Sequence, residues 1–141
     1  MNDKFEQISL KPGFMKHNGG VLFKTISKKE YEFKTTIKEN HLNAAGITHG
    51  GFIAAFVDAG AGSAAHRVAN QGVCVTISLE LKFISAVKLG QELVGKTKIQ
   101  KKTKSMIFLT CKLTVENKIV ATASGIWKIL NKELSKVRPN N

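Results

Sequence analysis

One stretch of the chain, His41 to Gly51 (HLNAAGITHGG), combines polar side chains with three glycines where a polar loop meets an alanine-rich segment. A helix that begins there leaves four backbone N–H groups without intrahelical partners, together with a partial positive charge. The amides of Gly50 and Gly51 can then face an oxyanion, because glycine lets a substrate approach the backbone closely. The alternative is an ordinary helix cap followed by a tight turn.

Asp58 is the one carboxylate in the alanine-rich segment, residues 50–70. An unpaired carboxylate is costly to bury, so an acid in the middle of an apolar helix needs either a partner or a chemical task. A backbone amide or Arg67 is a candidate structural partner. The glycine turn upstream favours a catalytic role instead.

Gly50 and Asp58 stand eight residues apart in this predicted helix, which separates them by about 12 Å along its axis. Both cannot touch one carbonyl. If both act on the same group, one of them comes from a second subunit, and the site lies at a two-fold dimer interface.

The elements that position these residues follow from hydrophobic periodicity. Residues 50–70 lack strand alternation, are apolar nearly all round, and are predicted to form a helix that the rest of the fold wraps. Period-two alternation and turn residues predict the strands. The predicted strands are 21–26, 31–38, 73–83, 92–103, 106–116 and 118–130.

The strand from Val73 to Phe83 is predicted to be half-buried, with Thr76 and Ser78 together on its polar face. It and the three strands that follow are expected to form an antiparallel meander. The predicted fold class is α+β, with one long apolar helix on a single antiparallel sheet of about five to six strands. Residues 1–141 are expected to form one domain, with loosely held ends at 1–12 and 131–141.

The charge balance is strongly basic. Twenty-two Lys and Arg against ten Asp and Glu give a formal net charge of +12, and Arg67 and Arg138 are the only arginines. Such a chain attracts polyanions, which include nucleic acid, an anionic membrane surface and a substrate with several phosphates. Scarce arginine and 7% aromatic content disfavour nucleic acid. Solubility alone is the other interpretation.

Cys74 and Cys111 belong to no CxxC or Cys/His cluster, so neither a metal site nor a disulfide framework is expected. They are predicted to be free thiols. The N-terminal residues lack the apolar segment of a secretory signal, and Asp58 interrupts the most apolar run. We therefore expect a cytoplasmic protein without a membrane span.

The pattern H-x-N-x-x-G-x-x-H-G-G, with an Asp seven positions after the last Gly, resembles that of hotdog-fold acyl-CoA thioesterases. It is most similar to the phenylacetate-degradation type and its thioesterase-superfamily relatives. The resemblance extends over roughly residues 12–130, although Ala86 stands where many relatives have proline. It implies a hotdog fold in which two sheets join and active sites are shared, often in a dimer of dimers.

The resemblance also implies roles for the residues at the predicted helix start. Gly50 is expected to supply the oxyanion-hole amide that polarises the thioester carbonyl, with Gly51 beside it in contact with substrate. Asn43 and His49 are expected to shape the turn and to help hold the carbonyl or the attacking water.

Asp58 matches the catalytic carboxylate of the family, which acts as general base on water or as nucleophile. Thr76 is expected to orient the water, with Ser78 as the alternative. Coenzyme A carries three phosphates, and a group of lysines is predicted to bind them or, alternatively, to guard a solvated edge strand against aggregation. These lysines are Lys96, Lys98, Lys101, Lys102 and Lys104.

The predicted activity is hydrolysis of acyl-CoA thioesters to a free acid and coenzyme A by a homo-oligomer, with no metal or redox cofactor. The acyl group is expected to occupy an apolar tunnel beside the helix. One alternative is an acyl-thioester hydratase or dehydratase, in which His49 and Asp58 pair across subunits. The others are a non-enzymatic acyl-CoA-binding protein and a basic nucleic-acid-binding module.

Overall fold

The computed structural model describes residues 4–70 and 72–130, which form one antiparallel sheet and one long helix. Every strand and the helix predicted from periodicity are confirmed, with ends that differ by one or two residues. A single 3₁₀ turn covers Glu39–His41. The elements are β1 (Glu6–Gln7), α1 (Phe14–His17), β2 (Leu22–Thr25), β3 (Glu30–Thr36), α2 (Gly50–Val68), β4 (Cys74–Phe83), β5 (Glu92–Lys102), β6 (Met106–Val115) and β7 (Lys118–Ile129).

The seven strands lie in the order β1-β2-β3-β5-β6-β7-β4. The predicted four-strand meander is therefore wrong, because β4 pairs with β7 and β5 pairs with β3. The segment 84–91 causes this by passing the start of α2 instead of turning back on β4. Thr48 donates to the Val87 carbonyl through both its N–H and its hydroxyl, and the Gly90 N–H donates to Ile37 O.

The sheet wraps one face of α2, and a compact aromatic group fills the space between them. The Phe33 and Phe56 rings lie 4.8 Å apart between centroids. A side chain at Gly60 on the helix, or at Gly95 on β5, would overlap the Phe33 ring. Glycine at these two positions is what lets helix and sheet approach so closely.

The opposite face of α2 is only partly covered, with Asp58 exposed near its middle. Around this carboxylate the helix carries small side chains, including Ala54, Ala55 and Gly62. Asp58 is thus not a buried acid within one chain. This carboxylate carries a desolvation cost only if another surface covers this face of the helix.

A β-bulge in β4 changes which residues face the helix. Thr76 lies opposite the buried Trp127 of β7, whereas Ser78 lies opposite Ile126, the next residue in the chain. Because successive residues of a strand point to opposite faces, Thr76 faces the helix and Ser78 faces away from it. The prediction that the two share one face is wrong, since Ile77 is the extra residue of the bulge.

The strand β4 is also an exposed apolar edge, not the half-buried strand that alternation predicted. Its one neighbour in the sheet is β7, so its other edge is unpaired among the described residues. Its large apolar side chains and those next to it are 37% to 57% exposed: Val73, Val75, Ile77, Phe83 and Ile84. An unpaired apolar edge of this kind is typical of a surface that another chain covers.

The chain ends predicted to be loosely held fall partly outside the described residues, which begin at residue 4 and stop at 130. Within residues 4–12, β1 pairs with β2, and the Gln7 side chain accepts a hydrogen bond of 3.0 Å from Val21 N. These bonds attach the first described residues to the edge of the sheet.

Candidate active site

His49 is the N-cap of α2. Its Nδ1 accepts a hydrogen bond of 2.8 Å from the Gly51 N–H, and its backbone carbonyl accepts from Phe52 N. An accepting Nδ1 requires the neutral imidazole with its proton on Nε2. The Gly51 amide is therefore occupied, and of the two predicted oxyanion donors only Gly50 has an amide with no acceptor among the described residues.

Asn43 holds the loop that leads into this helix start. Its Oδ1 accepts hydrogen bonds from Ala45 N at 2.9 Å and from Ile47 N at 3.3 Å, and its own N–H donates to Ile47 O. These bonds form an Asx turn, in which Gly46 takes a φ of +82°. The side chain thus shapes the turn, while contact with a carbonyl or a water stays a prediction.

His41 supports the same loop from the inside. It is buried, stacks on Phe52 with ring centroids 3.8 Å apart, and accepts from Lys38 N at its Nδ1. Its Nε2 lies 2.6 Å from Asn18 O, so both ring nitrogens are satisfied by backbone. His41 therefore positions the loop and is not available to a substrate.

Gly50 lines a largely apolar cleft of about 330 Å³. The Phe83 ring lies only 3.5 Å from where a Cβ at Gly50 would be, and Ile84 and Ala86 also line the cleft. Strand alternation predicts Phe83 at the end of β4 but cannot show which loop that strand end will meet, so it did not place Phe83 at this site.

Asp58 receives a short hydrogen bond from β4. Thr76 Oγ1 donates to Asp58 Oδ1 at 2.6 Å, which fixes the carboxylate and leaves Oδ2 open. Arg67, the structural partner considered from the sequence, instead donates to Thr25 Oγ1 and lies over the Phe23 ring. No Lys, Arg or His within residues 4–70 and 72–130 forms an ion pair with Asp58.

The structure keeps the two halves of the predicted site apart. Gly50 and Asp58 belong to one uninterrupted helix, so about 12 Å separates them along the axis. The strand confirms this spacing independently, because Phe83 at one end of β4 contacts Gly50 while Thr76 near the other end binds Asp58. One chain therefore supplies two half-sites.

The predicted phosphate-binding lysines are all exposed but do not share one face. Lys96 lies opposite Lys112, on the sheet face that turns away from the helix. Lys98, two residues further along β5 and opposite Thr110, lies on the same face as Lys96. A bulge between Ile99 and Lys101 then alters the alternation, and Lys101, Lys102 and Lys104 lie at the β5–β6 turn. No carboxylate in the described part of the chain pairs with any of them.

The two cysteines are free, and burial raises the pKa of both thiols, that of Cys111 to about 11. Neither is therefore a thiolate at neutral pH. Across residues 4–70 and 72–130, no group of three or more His, Cys, Asp and Glu side chains is placed to hold a metal ion. None of the helices described is both long and apolar enough to span a bilayer.

The chain is similar in sequence to several known proteins. Residues 45–122 match the family model of the thioesterase superfamily. A Pseudomonas aeruginosa protein whose name designates it an esterase is 32% identical over 94 residues, which cover 66% of this chain and 70% of that protein. Mouse acyl-coenzyme A thioesterase 13 is 26% identical over 103 residues, 73% of this chain and 74% of the relative.

Solved structures share the fold. Zebrafish thioesterase superfamily member 2 superposes with a TM-score of 0.78 at 21% identity, covering 86% of this chain and 90% of its own. The Escherichia coli PaaI protein from the phenylacetic acid degradation operon gives a TM-score of 0.72 at 17% identity, with 79% and 80% covered. The hotdog fold expected from the sequence is therefore confirmed.

The His49 cap provides a test of how the helix start is held. We expect His49→Ala to lower the free energy of unfolding by about 1 kcal/mol, because the Gly51 N–H loses its acceptor. His49→Asn should lose only a few tenths, since asparagine is a strong N-cap. Urea unfolding followed by circular dichroism measures both. Equal losses in the two variants would show that the cap bond does not hold the helix start.

Proposed function

Because the chain belongs to the thioesterase superfamily, we propose that it hydrolyses acyl-CoA thioesters to a free acid and coenzyme A. The observation that carries this proposal is the hydrogen bond from Thr76 to Asp58, since it orients a carboxylate that has no structural ion pair among the described residues. The Gly50 amide supplies the complementary electrophilic group. This hydrolysis consumes only water and needs no metal or redox cofactor.

Gly50 acts on the thioester carbonyl. Its free N–H donates to the carbonyl oxygen, and the donation strengthens as negative charge develops on that oxygen in the tetrahedral intermediate. The partial positive charge at the start of α2 adds to this stabilisation. Phe83 and Ile84 line the cleft beside Gly50, and a second chain that covers these exposed side chains shields the amide from bulk water, which strengthens both effects.

Asp58 acts on the nucleophile. In the first route its free Oδ2 takes a proton from water while the water oxygen bonds to the carbonyl carbon. Collapse of the intermediate breaks the C–S bond, and the departing sulfur of coenzyme A takes up a proton. In the second route the Asp58 carboxylate bonds to the carbonyl carbon, the C–S bond breaks, and the departing thiolate of coenzyme A takes up a proton. Water then hydrolyses the resulting anhydride, which releases the free acid and regenerates the carboxylate. In both routes Thr76 keeps the carboxylate oriented.

The apolar edge of β4 supports a dimer in which each site combines Gly50 of one chain with Asp58 of the other. Pairing of two β4 edges would cover the exposed Val75 and Ile77 and join the two sheets. It would also cover the small-residue face of α2, so that Asp58 becomes enclosed in the assembly. The acyl group then occupies an apolar tunnel beside the helix.

The first test removes the charge of the proposed base. We expect Asp58→Asn to reduce kcat for an acyl-CoA by 100-fold or more, because the amide cannot accept a proton or attack. Thr76→Val should lower kcat by a smaller factor than Asp58→Asn. Thr76→Ser keeps the hydroxyl, so its kcat should be close to that of the wild-type protein. Release of the coenzyme A thiol measures each rate. The matched control is Ser78→Ala, since Ser78 lies on the opposite face of the same strand.

Retention of more than about a tenth of wild-type activity in Asp58→Asn would contradict the role of this carboxylate. A loss in Ser78→Ala equal to that in Thr76→Val would show that β4 as a whole, not the hydroxyl on Asp58, sets the rate.

The second test asks whether sites are shared between subunits. Gly50→Pro removes the oxyanion amide at the first helical position, where proline is well tolerated, and Gly50→Ala keeps the amide as its control. Asp58→Asn and Gly50→Pro are each expected to be inactive, and the two are unfolded, mixed and refolded together. Random pairing makes about half of the dimers mixed, with one intact site in two, so roughly a quarter of wild-type activity should return.

Sites built within one chain would regain nothing, because every site would keep one defect. Lack of rescue, with mixed dimers demonstrated by native mass spectrometry, would therefore contradict the shared site.

The third test addresses coenzyme A. We propose that lysines near the β5–β6 turn attract the phosphates of coenzyme A. Replacing Lys101, Lys102 and Lys104 together by Gln should therefore raise KM for acyl-CoA and make KM less dependent on salt. A short thioester without the nucleotide should be affected little. Steady-state kinetics at two salt concentrations measure both substrates.

The control removes the same charge from the opposite end of the sheet, with Gln at Lys82, Lys88 and Lys118. If these changes raise KM for acyl-CoA and the substitutions at Lys101, Lys102 and Lys104 do not, the nucleotide binds near the Gly50 cleft instead.

A further inference from the structure

Trp127 is a buried aromatic residue next to the Asp58 half-site. It is only 2% exposed, and it lies directly opposite Thr76 across the β4–β7 pair. Its ring packs over Gly125, where any side chain would overlap it. Trp127 thus lies on the strand next to β4, opposite the threonine whose hydroxyl binds Asp58.

The indole nitrogen lies against Gly62 of the helix. Gly62 stands one helical turn after Asp58 and therefore on the same face of α2. A Cβ at Gly62 would lie 3.3 Å from Trp127 Nε1, so the absence of a side chain leaves the N–H uncovered. Gly62 is partly exposed, and Asp58 on the same helix face is exposed, so this face of α2 is accessible in the single chain.

The same N–H has no hydrogen-bond acceptor among residues 4–70 and 72–130. In that part of the chain, the one polar side-chain atom that is fully shielded from solvent and has no hydrogen-bond partner is Thr97 Oγ1. Trp127 Nε1 also has no partner, so it is not fully shielded and keeps a small contact with solvent. A buried tryptophan normally finds an acceptor for this group. An unpaired donor at the bottom of a glycine gap, next to the reacting carboxylate, is therefore suited to a ligand oxygen.

We propose that Gly62 and Trp127 form an acyl-recognition subsite that favours acyl groups carrying a hydrogen-bond acceptor, such as a hydroxyl, some way along the chain. This inference rests on the proposed thioester hydrolysis at Asp58. An acyl group that covers Gly62 displaces water from the indole N–H, and only an acceptor on the acyl group then restores the lost hydrogen bond. Sites that leave a donor unpaired with the wrong substrate discriminate strongly.

The spacing of the helix indicates where the acceptor lies. Asp58 and Gly62 are one turn apart, which places the subsite about 6 Å beyond the reacting carbonyl. With carbon–carbon bonds of about 1.5 Å, an extended acyl chain covers this distance at roughly its fifth or sixth carbon. The subsite therefore tests the far part of a medium-length acyl group, not the atoms next to the thioester.

The experiment compares kcat/KM for hexanoyl-CoA with that for hexanoyl-CoA hydroxylated at carbon 4, 5 or 6. In the wild-type protein we expect the best hydroxylated substrate to be preferred by about 10- to 100-fold. Trp127→Phe keeps most of the ring but removes the N–H, so the preference should fall to near unity. Turnover of hexanoyl-CoA itself tests the proposed hydrolysis, separately from the preference.

Gly62→Ala provides a second variant that does not alter the indole. Its methyl group covers Nε1, while alanine is the better helix former, so the fold should be retained and the preference lost. Ser63→Ala, the adjacent helix position, is the matched control and should keep the wild-type preference.

A wild-type protein that turns over hexanoyl-CoA without preferring any hydroxylated form would overturn the subsite. So would variants at Gly62 and Trp127 that slow all the substrates equally, because the ratio would then not depend on the indole N–H.

Discussion

The fixed spacing along helix α2 is the constraint on which the rest of the site depends. The helix carries Gly50 at its first position and Asp58 two turns later, and its buried face is held against the sheet by Phe33 and Phe56. A helix held in this way cannot bend to bring the two groups together. The shared site that we propose follows from this spacing, since two groups of one chain that cannot meet can act on one substrate only with a second copy of the chain.

The edge strand β4 serves both half-sites. Its Phe83 end lies against Gly50, and its Thr76 end lies against Asp58. The bulge at Ile77 is what turns Thr76 toward the helix while leaving apolar side chains on the open edge. One irregularity thus orients a carboxylate and also leaves an apolar edge suited to a second strand, which agrees with the frequent occurrence of bulges at sheet edges and next to active sites.

Exposure of Asp58 in the single chain has a chemical consequence. An exposed carboxylate is well solvated, whereas one enclosed with its substrate has a less hydrated and more reactive charged form. If assembly covers the small-residue face of α2, the same event that completes the site also removes water from Asp58. Assembly and activation are then coupled without any movement of the chain.

The sequence by itself determined six of the seven strands, the long helix α2 and the candidate catalytic groups. Period-two alternation located the strands, the alanine-rich run located α2, and helix geometry alone predicted that Gly50 and Asp58 cannot meet in one chain. These properties are local, so they can be read from neighbouring residues. The free donor at the helix start could not be identified in this way, although the contact is local, because it depends on the rotamer that turns the His49 ring back to Gly51.

Only the tertiary structure decided the rest, since long-range pairing leaves little trace in a sequence. Strand order could not be read from periodicity, because alternation is the same whether β4 pairs with β5 or with β7. A bulge adds a single residue and shifts the faces beyond it, so Thr76 and Ser78 were indistinguishable until the register with Trp127 and Ile126 was known. The unpaired indole N–H above Gly62 likewise exists only because the helix and β7 meet there.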